Sequence, residues 1–156
     1  MANGYSTQAL AAWGTTPPQM VDGGVTNAER RTTTAVITGA SLVSQGVGAI
    51  GDTILVGKLP MGSQFVDIQF QSDTVLTGAT LAWGYGTTQL PASIVSSTTF
   101  GSQAAPAANT LYTLRPVAQR VAGQLTADQF VFITISGAAL PSSFNLEIAI
   151  NYQMAN

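Results

Sequence analysis

The stretch "FNLEIAINY", residues 144–152, decides the fold. Phe144, Leu146, Ile148, Ile150 and Tyr152 fall on one side of an extended chain, and Asn145, Glu147, Ala149 and Asn151 on the other. Successive strand side chains point to opposite faces, so this alternation predicts a β-strand with one face in a core. A helix would scatter the same apolar residues around its circumference. "VDIQFQ", residues 66–71, repeats the pattern. "FVFITI", residues 130–135, is apolar on both sides and reads as a strand at the centre of a sheet.

Outward from these three, strands are predicted at 33–38, 52–58, 79–85, 94–100 and 111–114. Turn clusters such as "LPMGSQ", "QSDT", "GTTQLPAS" and "GAALPSS" separate them. The stretch 118–125 reads equally as helix, strand or loop. The prediction is an all-β chain, a jelly-roll-like β-sandwich of about eight antiparallel strands. Ahead of it the chain is polar and aperiodic. Pro17-Pro18 rules out a helix there, and Asp22-Gly23-Gly24 is turn chemistry. Yet Tyr5, Leu10, Trp13, Met20 and Val21 are apolar anchors that a free tail rarely carries. This predicts an extended N-terminal arm over 1–31, lying on its own domain, a neighbouring subunit or a larger surface. A β-sandwich domain over 32–156 follows it.

Composition narrows the function. Apolar residues make up 46% of the 156, but charged residues only 8%, against about 25% in an ordinary globular protein. A surface of Ser, Thr, Gln, Asn and Gly is cheaply buried against a partner, which favours assembly. Net charge is −2 with five basic residues, too few for a stripe along a phosphate backbone, so nucleic acid is not an expected partner. There is no cysteine and no histidine, which removes disulfides, thiolate metal sites and the Ser-His and Cys-His nucleophile systems. Asp67 and Glu147 lie on outward strand faces and could approach each other if their strands pair; they read as solvated acids. No cluster of closely spaced acids suggests a Ca²⁺ loop. The expectation is a non-enzyme with no cofactor and no metal. "MANGYSTQALAAWG" has neither a basic nor an apolar signal region, and no run approaches the roughly 18 apolar residues of a membrane span. Synthesis in a cytoplasm and no membrane partner are expected.

"GVGAIG", residues 46–51, spells G-x-G-x-x-G, which binds a dinucleotide only between a strand and a helix. Here a β-branched run follows, so the motif reads as a glycine-rich lead-in to a strand. Trp83 and Tyr85 share a strand face with Leu81, as core residues or as a sugar-stacking pair; Leu81 favours core. Arg30 and Arg31 hold two of the five basic charges where arm meets domain, the best polar contact to a partner.

The sequence also carries a resemblance. "DTILVGKLPMGSQFVDIQFQSDTVLTGATLAWGYGT" and "TADQFVFITISGAALPSSFNLEIAINYQ" are similar to small virion proteins of tailed bacteriophages. The shared features are the turn Lys58-Leu59-Pro60-Met61-Gly62, the stretch over residues 72–84 and the Gly137-Ala138-Ala139-Leu140-Pro141 hairpin. The resemblance covers about residues 30–153, and it rests on turns and strands. It implies a capsid decoration (cement) protein on the outside of a phage head, with the major capsid protein and sister copies, as a dimer or trimer, for partners. Residues 1–31, with Tyr5, Leu10, Trp13, Arg30 and Arg31, would make the contacts. A low-copy tail or fibre component and a carbohydrate-binding adhesin using Trp83 and Tyr85 are the alternatives.

Overall fold

The computed structural model describes residues 29–154. In chain order these form β1 (Glu29–Thr38), α1 (Gly39–Gln45), β2 (Thr53–Leu59), β3 (Ser63–Ser72), β4 (Thr80–Gly86), β5 (Ile94–Ala104), β6 (Tyr112–Leu114), α2 (Val117–Val121), β7 (Gln129–Ser136) and β8 (Asn145–Met154). All eight strands predicted from the sequence are present. β1 and β3 start earlier than the alternation marks them, because Arg30, Arg31, Ser63 and Gln64 carry no apolar signal.

Two four-stranded antiparallel sheets result: sheet A, ordered β1-β8-β3-β6, and sheet B, ordered β2-β7-β4-β5. The pairs β1/β8, β2/β7, β3/β6 and β4/β5 describe one long hairpin with its apex between β4 and β5. Rolled up, that hairpin is a jelly roll. The predicted fold class is therefore the observed one.

The core lies between the sheets. Sheet A contributes Ile37, Phe65, Ile68, Phe70, Leu146, Ile148 and Ile150; sheet B contributes Leu59, Leu81, Trp83, Phe100, Val131 and Ile133. The apolar side of "FNLEIAINY" is thus the inner face of β8. Ile150 sits opposite Thr33 on one side and Ile68 on the other. Phe65 stacks on Phe100 at 4.7 Å between ring centres, and Phe70 lies against Trp83 at 5.1 Å. Each such ring contact adds about 1 kcal/mol beyond the area it buries.

β4 and β5 need glycine to fit together. Their register breaks after Trp83 and again after Tyr85. At the break a Cβ on Gly84 would stand 1.9 Å from the Ser96 carbonyl oxygen. The absent side chain lets β5 cross there and turn Phe100 into the core.

Candidate assembly surface

Sheet B is partly covered on its outer side, although Leu55 remains 42% exposed. Phe132 lies opposite Leu55 and Gly84, outside the core cluster, yet it is buried. Its ring and Ser93 of the Pro91–Ser93 turn both close on Gly86. Within "FVFITI", Val131, Phe132, Ile133 and Ile135 are buried while Phe130 and Thr134 are half-buried, so the outer face is covered chiefly at Phe132. Sheet A has a different outer face: Thr32, Thr34 and Val36 of β1 are exposed there, as are Asn145 and Glu147 of β8. A shallow groove of about 260 Å³ crosses this face, lined by Thr34, Val36, Gln69, Gln71, Leu111, Glu147 and Ala149. Val36 and Leu111 present exposed apolar groups to it.

One end of the face holds a polar relay. The Thr32 hydroxyl donates to Asn151 Oδ1 (2.6 Å), and Asn151 Nδ2 donates to Asp67 Oδ1 (2.6 Å). Arg30 and Arg115 then converge on Asp67 Oδ2 at 3.5 and 3.3 Å. Asp67 is 1% exposed, whereas the arginines are 55% and 58% exposed. The expectation of a solvated Asp67 is therefore corrected. A carboxylate buried in a sheet is held by two guanidiniums and an amide, as buried charge requires. Asp67 and Glu147 do lie on paired strands, but Asp67 faces Asn151 and Glu147 faces Gln71, at opposite ends of the face. They cannot flank one bond.

The other end is acidic. Asp73 Oδ1 accepts from the Asn145 backbone N–H (2.8 Å) and Oδ2 from Asn145 Nδ2 (3.0 Å). These bonds, the backbone N–H foremost, hold its carboxyl below the ordinary 3.8. Asp128, bridging Lys58 at 2.7 Å and the Met61 N–H, is lowered in the same way, chiefly by the lysine.

Of the sequence-predicted contact residues, Tyr5, Leu10 and Trp13 lie outside the described residues. Arg30 and Arg31 are on β1, at the edge of sheet A, and Arg30 is bound to its own chain's Asp67. Sequence reasoning missed Arg115, Asn151, Val36 and Leu111. No local pattern marks Asp67, because Asn151 meets it only through the pairing of β3 with β8.

Two chemical readings are now decided by geometry. Residues 46–51 follow α1 and precede β2, the reverse of a dinucleotide-binding turn. Their amides are also occupied, since Asp52 Oδ2 accepts from both Gly48 and Ala49 N–H at 2.8 Å. Trp83 is 0% exposed and offers no face to a sugar. Among the described residues, no three His, Cys, Asp or Glu are grouped to hold a metal. No described helix is long and apolar enough to cross a membrane.

Comparison with known proteins gives a likeness of fold. A chain from the capsid of Ralstonia phage GP4 superposes with a TM-score of 0.59, over 83% of this chain and 85% of its own, at 16% identity. A chain from the acidic stable capsid of Helicobacter pylori bacteriophage KHP30 superposes at 0.55, over 81% and 89%, at 9% identity. No family model and no curated protein matches the sequence.

Proposed function

We propose that the chain is a non-enzymatic structural protein of a tailed-phage virion that binds the outer surface of the capsid and stabilises it. The observation that supports this most is the jelly roll itself, built like chains found in two phage capsids. The surface supports it too. With 8% of residues charged, little charge has to be desolvated when sheet A's outer face or an edge is covered. Groove, threonines and glutamines offer shape and hydrogen bonds without demanding a counter-charge.

In this reading the major capsid protein is the principal partner, and sister copies associate as a dimer or trimer on a capsid symmetry axis. Of the arm expected over residues 1–31, residues 29–31 pair in β1; the remaining residues 1–28 act as the arm, with Tyr5, Leu10 and Trp13 docking on the capsid or a sister copy. Attachment through arm and β domain together raises affinity by effective concentration. Arg30 belongs to the β domain through its bond to Asp67.

The test is rebinding. Heads stripped of this protein and mixed with the full chain should regain it and resist heat better. A chain lacking residues 1–28 should keep its β-sheet circular dichroism and fail to bind. Full-strength binding by the truncated chain would remove the arm from the account. Failure of the full chain to bind would remove the capsid.

A further inference from the structure

Four strands close the sheets at their edges: β1 and β6 in sheet A, β2 and β5 in sheet B. Three of them are guarded against pairing with another chain. β6 is three residues long, β2 is bulged between Leu55 and Gly57, and β5 loses register twice. Among the described residues, β1 has none of these three guards. Its ten residues, "ERRTTTAVIT", keep unbroken register with β8 and contain neither proline nor glycine. They are rich in β-branched side chains, and Thr32, Thr34 and Val36 are exposed on the outer face. An edge that long and regular is a template for one more strand.

We infer that β1 pairs antiparallel with β1 of a second copy of this chain, across a two-fold axis at Thr34. Sheet A then continues into its copy as one eight-stranded sheet. Outward residues must stand opposite outward residues, so paired residue numbers sum to an even value. An axis at Thr34 uses nearly the whole strand. It sets Arg30 opposite the partner's Thr38, Thr32 opposite the partner's Val36, and Thr34 opposite itself. Cross-strand β-branched pairs of this kind are favourable, and no like charges meet.

Charge favours a second copy over an unrelated strand. One end of sheet A's outer face carries Arg30 and Arg115 around a single Asp67; the other carries Glu147 and Asp73. A two-fold axis reverses the copy, so the positive end of each lies beside the negative end of the other. The contact is isologous and closes at two subunits. Thr34 and Val36 line the groove, so the two grooves meet at the axis and present one continuous face.

This pairing deepens the self-association in the proposed function, and it is tested in solution, away from any capsid. The chain has no cysteine, so a single one reports the register. Oxidised full-length Thr34→Cys should run as a disulfide-linked dimer. Val36→Cys should not, because its two copies would stand about 13 Å apart, beyond the reach of a disulfide. Light scattering should give twice the chain mass for the wild type. Thr34→Lys, checked by circular dichroism for intact sheet, should lower the association constant about tenfold. A wild-type monomer or trimer, a Thr34→Cys dimer that does not cross-link, or equal cross-linking by Val36→Cys would overturn the pairing. A monomer that still binds heads would overturn it and leave the capsid reading standing.

Discussion

Removing Asp67 and removing the two arginines that face it are not equivalent changes. The carboxylate is buried, while both guanidiniums are more than half exposed. In Asp67→Asn the arginines turn back to water and Asn151 loses a strong acceptor, a cost of about 1–2 kcal/mol. In the Arg30→Ala/Arg115→Ala double variant the carboxylate stays buried without a counter-charge, a cost of about 3–5 kcal/mol. Urea denaturation should rank the double variant as clearly less stable. Equal losses would mean that the relay is solvated. Asp73 governs a different response. Its carboxyl is held below 3.8 by bonds that favour the charged form, so its contribution is fully present above the ordinary carboxylate pKa. It is lost as pH falls from about 3.8 through the lowered value. Asp73→Asn lacks that contribution at every pH. Its Tm should therefore drop less than the wild type's between neutral and strongly acid solution, as a calorimetric pH series would record.

At the scale of elements, β4 and β5 hold the apex of the folded hairpin, and their fit depends on Gly84. Gly84→Ala forces a methyl into the Ser96 carbonyl, and overpacking of this kind costs about 1–3 kcal/mol. The variant should lose protection from hydrogen exchange in β4 and β5 first, with β1 and β8 little changed. Uniform loss would deny the apex its separate role. The elements also divide what was legible in the sequence from what was not. Alternation found β3 and β8 and two-sided apolarity found β7, because those patterns are local consequences of burial. α1, "GASLVSQ", has no apolar periodicity and was not foreseen. It forms because Thr38 caps its first turn, accepting from Ser41 N–H at 3.1 Å, and Gly46 ends it in a left-handed conformation. Residues 46–51 do lead into β2, and Asp52, which the pattern of glycines does not mark, orders them. Asp67 reads as a surface acid in the sequence because Arg30 and Arg115 reach it only through the pairing of β1, β8, β3 and β6. That juxtaposition is tertiary and leaves no periodic trace.

For the whole molecule, low charge and a two-sheet core give a sandwich whose sheets differ. The Pro91–Ser93 turn caps sheet B at Gly86 and Phe132, while sheet A leaves Thr32, Thr34, Val36, Asn145 and Glu147 exposed beside its buried Asp67. A jelly roll with an exposed groove and a long regular edge strand fits the proposed role of a surface that other subunits cover. Tyr5, Leu10 and Trp13 of the proposed arm lie outside the described residues. The central claim is that this chain is a stoichiometric part of a capsid surface. Its copy number per purified virion, by quantitative mass spectrometry against the major capsid protein, tests that claim most directly. The account predicts a number comparable to that of the capsid protein. A handful of copies would place the chain in a tail or fibre, and absence from the particle would contradict the structural role altogether.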